Sequence, residues 1–163
     1  MLDLKRPIAR MALLQMCRTS DVLVHNIRPA AMSRLNLGYS DIAAENPAII
    51  YLSLTGFGQT GLYARRTAVD DVVQAASGLA DLYAKSTGQE PAYVPSVVAD
   101  RITGISAAHA LLAALIYRMR TGRGQSVEVP MFETLVSHIL GDHLSGKTFE
   151  PAAGPMGYSR LLT

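Results

Sequence analysis

One acidic residue, Asp100, has the sequence setting of a catalytic nucleophile. It follows the apolar residues 97–99 and precedes a long segment of helical pattern. Its carboxylate is therefore expected near a helix N-terminus, where the helix dipole stabilises negative charge. A carboxylate in that place, at the mouth of an apolar pocket, is a competent nucleophile towards an activated acyl group. The same position also suits an ordinary helix N-cap, and the surrounding residues leave both interpretations open.

The glycine-rich segment at residues 56–61 matches the spacing of dinucleotide-binding sites and follows a predicted strand. That spacing binds a pyrophosphate only when a helix begins among the glycines, because the helix N-terminus holds the phosphates. Residues 62–67 have no apolar stripe at helical spacing, which favours a flexible loop that a ligand can approach closely. A nicotinamide-dependent oxidoreductase stays an alternative that these glycines alone support.

Several histidines are of a type that could ligate a metal or act as a base. His138, Asp142 and His143 lie within six residues, and the first two would share a helix face. Asp142 follows a glycine near a predicted helix end and no further partner at fixed spacing is visible, so no metal site is predicted. His25 and His109 have no neighbouring serine or cysteine in a nucleophile arrangement. Both are interpreted as satisfied, half-buried histidines.

The elements that must position these residues alternate along the chain. Helices are predicted over residues 7–18, 40–45, 69–82, 102–120 and 130–140, and strands over residues 21–25, 49–54 and 125–129. Residues 85–95 contain one glycine and two prolines and are predicted to form an irregular, solvent-facing connection. Alternation with short connections favours an α/β fold in which helices cover parallel strands.

Composition narrows the functional classes. The chain is 49% hydrophobic and 17% charged, which argues against disorder and indicates that a partner subunit covers part of its surface. The net charge of +2 comes from dispersed residues without a basic run, so no nucleic-acid partner is expected. No signal peptide or membrane span is predicted. Cys17, the only cysteine, is interpreted as a buried thiol and fits a cytoplasmic protein.

Seven blocks of sequence carry a resemblance to a known family. They are residues 2–5, 21–29, 34–39, 55–61, 70–78, 98–104 and 120–129. In order and spacing they are similar to the family III CoA-transferases, the CaiB/BaiF type, in the superfamily of formyl-CoA transferases and acyl-CoA racemases. The resemblance implies an incomplete Rossmann-like large domain. Residues 1–144 would be its central part, and residues 145–163 a linker towards a missing small domain.

The resemblance also implies a function. Members move CoA between carboxylic acids through an aspartate that forms an acyl anhydride and then a CoA thioester, and Asp100 matches that aspartate. Coenzyme A would be a substrate, with no covalently bound cofactor, a carboxylic acid would be the acceptor, and the subunits would form an interlocked homodimer. The residues expected to bind CoA or shape its site are Asn26, Arg28, Arg34, Gly56, Gly58 and Asp70.

Two alternatives remain within the family. Its racemases use a histidine immediately before the residue that matches Asp70, whereas this chain has Val69, which cannot accept a proton. The transferase branch is therefore favoured. Intact members are also longer at both ends and carry a glycine-rich catalytic loop that this chain is expected to lack. The second alternative is thus an inactive remnant, or a subunit that needs a companion chain.

Overall fold

Three strands form a single parallel sheet in the computed structural model, which describes residues 2–64 and 66–154. They are β1 (Val22–His25), β2 (Ile50–Thr55) and β3 (Gln125–Pro130), in the order β1-β2-β3. β1 pairs with β2 in parallel. β3 runs the same way, since Gly124 N–H donates to Pro47 O and Phe132 N–H donates to Gly56 O. The predicted α/β class with parallel strands is confirmed.

Helices connect the strands in the described part of the chain. They are α1 (Pro7–Cys17), α2 (Pro29–Arg34), α3 (Tyr39–Glu45), α4 (Asp70–Ala76), α5 (Leu79–Thr87), α6 (Val98–Thr121) and α7 (Met131–Leu144), followed by a 3₁₀ helix (Ser145–Thr148). α2 was not predicted. It begins with Pro29 at its first position and is followed by Asn36, whose φ of +53° places it in the left-handed region that asparagine tolerates.

Two predicted helix boundaries are wrong. The segment predicted as one helix over residues 69–82 is split into α4 and α5 by Gly78, which has a φ of +85°. α5 then extends to Thr87, into the predicted irregular connection, and Gly88 ends it with a φ of +70°. α6 begins at Val98 rather than at residue 102. Asp100 therefore lies inside the first turn of the helix and not before it.

The chain divides into two compact units, the first formed by residues 1–55 and 105–129 and the second by residues 56–104 and 130–163. α6 thus begins in the second unit and continues in the first. The predicted boundary at residue 144 stays a prediction, and residues 155–163 of the predicted linker lie outside the described residues.

The core of the first unit covers both faces of the sheet. Successive residues of β2 point to opposite faces. On one face lies a cluster of Cys17, Met32, Leu37, Ile42, Ile49 and Tyr51, contributed largely by α1, α2 and α3. On the other face Leu52 packs with Ala107 of α6 and Val129 of β3. A Cβ at Gly124 would collide with the backbone oxygen of Ile49, which explains the glycine before β3.

The core of the second unit joins three helices. Val73 of α4, Ala99 of α6, and Leu135 and Ile139 of α7 are its buried residues. Fully burying a side chain of this size contributes about 1.5–3 kcal/mol relative to exposure. This cluster fixes the start of α6 against α4 and α7, and it thereby fixes the backbone that carries Asp100.

α6 also has an exposed apolar face. Its exposed large apolar residues include Ile105, Leu112, Ile116 and Met119, which recur at spacings of three, four and seven residues. Among the described residues, α6 is the one helix long and apolar enough to cross a membrane by length and composition, a test that core helices of soluble proteins also pass. The expected absence of a membrane span stays a prediction.

Candidate active site

Asp100 combines an exposed side chain with a fixed backbone. It is the third residue of α6, where the N–H groups of the first turn have no acceptor within the helix. Its own N–H donates to Asp70 Oδ2 at 2.9 Å. The Asp100 side chain forms no hydrogen bond with any residue that the structure describes and is exposed. The carboxylate is therefore open to an incoming reactant while the chain beneath it is held.

Asp70 is the buried partner in this arrangement. It is the first residue of α4 and is 7% exposed. Its Oδ1 accepts a hydrogen bond from Gln74 Nε2 at 2.6 Å, and its Oδ2 accepts the bond from Asp100 N–H. A buried carboxylate is costly unless donors compensate it, and these two donors do so. Asp70 thus caps α6 from a position 30 residues earlier in the chain.

Gln74 extends the same network to the segment that leads into α6. Its side chain is fully buried, with 0% exposure. Val94 N–H donates to Gln74 Oε1 at 2.8 Å, and Gln74 Nε2 lies 3.2 Å from Ser96 O and 3.4 Å from Val94 O. Asp70, Gln74, Asp100 and the backbone of residues 94–96 are called the nucleophile network below. Gln74 was not predicted from the sequence, although its i+4 spacing from Asp70 signals a shared helix face.

The glycine loop at residues 56–61 is tied to the start of α7. Gly56 O accepts a bond from Phe132 N–H at 3.0 Å, and Gly58 N–H donates to Glu133 Oε1 at 2.9 Å. A Cβ at Gly58 would lie 2.8 Å from that same oxygen. No helix begins among residues 56–64 or 66–69. The helix that a dinucleotide site requires is thus missing from the described loop, and a side-chain carboxylate already occupies Gly58 N–H.

The residues expected to bind CoA through their side chains lie in the first unit. Asn26 follows β1, Arg28 precedes α2, and Arg34 is the last residue of α2. All three are exposed. Within residues 2–64 and 66–154, none of their side chains forms a hydrogen bond or an ion pair. They follow the carboxyl end of a parallel strand, where α/β proteins bind ligands, and their roles stay predictions.

His25 is only partly satisfied, which corrects its interpretation. Its ring is half-buried, and Nδ1 lies 3.1 Å from Ile27 O and 3.2 Å from Ile27 N. Nε2 is buried without a partner among the described residues, and the ring packs edge-on against Tyr51 at a centroid distance of 4.9 Å. Burial lowers the pKa of His25, and the bond to Ile27 opposes that shift in part. His109 is exposed rather than half-buried.

The other candidate groups have structural partners. His138 Nδ1 lies 2.9 Å from Thr134 O, and His143 Nε2 lies 3.0 Å from Gly78 O. No group of three potential metal ligands is found in the part of the chain that the structure describes. The interpretation of Cys17 as a buried thiol is confirmed, since it is 2% exposed and burial raises its pKa.

Comparison with known proteins identifies the family. A family model for CoA-transferase family III matches residues 1–159. The chain belongs to CoA-transferase family III. The resemblance of the seven sequence blocks is therefore confirmed.

Both transferases and a racemase occur among the family III relatives. Succinate–glutarate CoA-transferase of Agrobacterium fabrum is 37% identical over 131 residues, covering 80% of this chain and 32% of the relative. Human alpha-methylacyl-CoA racemase is 38% identical over 134 residues, covering 81% of this chain and 35% of the relative. The crystal structure of a CAIB/BAIF family protein from Brucella suis superposes with a TM-score of 0.86 at 28% identity, covering 97% of this chain and 41% of that chain. The chain spans about a third of the length of these curated relatives.

Proposed function

We propose that the protein transfers CoA from an acyl-CoA to a carboxylic acid, with Asp100 as the nucleophile. The observation that carries this proposal is the exposed carboxylate of Asp100 above a first helical turn that Asp70 holds. Membership of CoA-transferase family III supports the class of reaction. Cytoplasmic location and a homodimer are part of the proposal, and the exposed apolar face of α6 supports a covered surface in the assembly.

The chemistry balances in four steps. An Asp100 oxygen attacks the thioester carbonyl carbon, and the CoA thiolate leaves to give an acyl-aspartyl anhydride. The thiolate attacks the aspartyl carbonyl, which releases the donor acid as a carboxylate and leaves an aspartyl-CoA thioester. The acceptor carboxylate attacks that thioester and expels the thiolate again. The thiolate then attacks the acceptor carbonyl, which forms the new acyl-CoA and restores the Asp100 carboxylate.

The binding residues have chemistry that suits CoA. Arg28 and Arg34 supply exposed guanidinium groups, which bind phosphates and stack on adenine, and Asn26 adds an amide. Gly56 and Gly58 keep side chains out of the loop, so that its backbone can approach a thioester closely. Since Gly58 N–H is bonded to Glu133, the loop would meet a ligand through its other backbone groups.

An acyl-CoA racemase is the second candidate, supported by the human relative at 38% identity. Racemisation needs a base that removes the proton next to the thioester carbonyl. Val69, the residue before Asp70, is an exposed aliphatic residue at the N-cap of α4 and cannot serve as that base. This difference supports the transferase.

The test is covalent labelling of Asp100. The chain is mixed with succinyl-CoA, quenched with acid and digested, and the peptide with Asp100 is examined by mass spectrometry. An adduct in the wild type and in Asp71→Asn, an exposed acid of the same unit, but not in Asp100→Asn, is the expected result. Adding glutarate should discharge the adduct and form glutaryl-CoA.

Other outcomes separate the alternatives. Deuterium incorporation next to the thioester of a 2-methylacyl-CoA in heavy water, without an Asp100 adduct, would favour the racemase. Folded protein that neither binds CoA in a titration nor forms the adduct would favour an inactive chain or one that needs a companion. Light scattering on the same sample reports the oligomeric state.

A further inference from the structure

We infer that Gln74 is a positioning residue for the nucleophile, fixing the approach to α6 so that its first turn presents Asp100 in one orientation. The inference rests on the proposed role of Asp100. Gln74 lies on α4 and does not touch Asp100 itself. It acts through Asp70 and through the backbone of residues 94–96.

The hydrogen bonds of Gln74 use both halves of its amide. Nε2 offers two hydrogens to Asp70 Oδ1, Ser96 O and Val94 O, while Oε1 accepts from Val94 N–H. An amide supplies donors and an acceptor in fixed geometry, which neither a carboxylate nor an aliphatic side chain can do. Because the side chain is fully buried, water does not replace a lost partner.

The segment that Gln74 holds has little other support. Residues 89–97 have exposed side chains and no regular secondary structure, yet they lead directly into α6. The bonds from Gln74 to Val94 and Ser96 fix the backbone just before the first turn of that helix. Gln74 also supplies one of the two donors to Asp70, whose other oxygen holds Asp100 N–H. Losing Gln74 therefore loosens the first turn of α6 from two directions.

The first arm of the test compares Gln74→Leu with Gln89→Leu, an exposed glutamine just beyond α5. A nucleophile displaced by about 1 Å loses roughly 100-fold in rate, so Gln74→Leu should form the Asp100 adduct with succinyl-CoA about 10- to 100-fold more slowly. The half-saturating succinyl-CoA concentration should change less than about twofold, since the arginines are untouched. Amide hydrogen exchange at Val94 and Asp100 should accelerate. Gln89→Leu should match the wild type.

The second arm uses Gln74→Glu and pH. In this variant an ionised carboxylate at position 74 would repel the Asp70 carboxylate, whereas the protonated acid can donate to Asp70 and accept from Val94 N–H. Asp70 and Asp100 are the other ionisable groups of the nucleophile network. The adduct rate of Gln74→Glu, relative to the wild type, should therefore recover as the pH falls. Circular dichroism at each pH confirms that the variants stay folded.

Each outcome decides the inference. Wild-type rates and wild-type amide exchange in folded Gln74→Leu would overturn it, and an adduct in the wild type would then leave the proposed function standing. If the wild type forms no adduct, the proposed function fails, and faster exchange at Val94 and Asp100 in Gln74→Leu still supports the tether. If Gln74→Leu does not fold, a pH-independent rate ratio in Gln74→Glu would overturn the inference.

Discussion

The nucleophile network and the segment at residues 26–34 hold their functional candidates in opposite ways. In the network, Asp70 and Gln74 are buried, and their hydrogen bonds join positions 20 to 30 residues apart. In the other segment the side chains of Asn26, Arg28 and Arg34 are exposed and have no partners among the described residues. There the one local tie is the ring of His25, which closes onto Ile27.

The difference teaches how each kind of residue can be found. A group that performs covalent chemistry must be held in place, so its supports are buried and satisfied. A group that binds a large, charged ligand can remain exposed until the ligand arrives, and it then gains its partners. The predictions below test whether the two regions respond to substitution as this contrast requires.

The largest effect is expected for Asp70→Asn. An asparagine presents one oxygen and one amide group, so either Gln74 Nε2 or Asp100 N–H would face another donor. The free energy of unfolding should fall by about 1–3 kcal/mol, the cost of a buried donor left without an acceptor. Urea denaturation measures it. The control is Asp71→Asn, whose exposed side chain should change stability by less than about 0.5 kcal/mol, and equal effects of both variants would contradict the buried network.

A smaller effect of another kind is expected for Arg34→Ala. Stability should change by less than about 0.5 kcal/mol, because the side chain is exposed. The dissociation constant for CoA, measured by calorimetry, should rise roughly 10-fold, the equivalent of one lost charge-assisted hydrogen bond. Arg6→Ala, which removes an exposed arginine before α1, should leave CoA affinity unchanged. Unchanged affinity in Arg34→Ala would remove this residue from the proposed site.

The smallest effect is expected from the protonation of His25. Because burial lowers the pKa of this imidazole in the folded state, the unfolded chain takes up a proton first as the pH falls below about 6.5. The stabilisation is therefore complete above that pH and is lost progressively below it. The urea midpoint of the wild type should fall between pH 7.5 and pH 5.5 by more than that of His25→Gln. Parallel pH profiles would show that the His25 ring is not the responsible group.

Local patterns predicted most elements because they depend on neighbouring residues. The apolar stretch of β2, the proline at the start of α1 and the glycine after α6 are all readable in a short window. The split between α4 and α5 was missed because Gly78 adopts a positive φ where His143, 65 residues away, packs against it. The true start of α6 was missed because its cap, Asp70, is distant in the chain.

The candidate site divides along the same line. The order and spacing of the sequence blocks were enough to single out Asp100 and the exposed arginines, and the assigned roles of these residues stay predictions. Gln74 is invisible to that approach, since nothing in its immediate neighbours shows that it reaches Val94 and Ser96. The reason for glycine at position 58 likewise lies in Glu133, 75 residues later.

By itself, the sequence determined the α/β class, the parallel strands and the family, because periodicity, turn residues and ordered motifs are written in consecutive residues. Only the tertiary structure decided that Asp70 is buried, that it holds the backbone of Asp100, and that His25 Nε2 has no partner among the described residues. The physical reason is that a buried polar group is satisfied by whichever donor or acceptor the fold brings near, and that neighbour is most often remote in sequence.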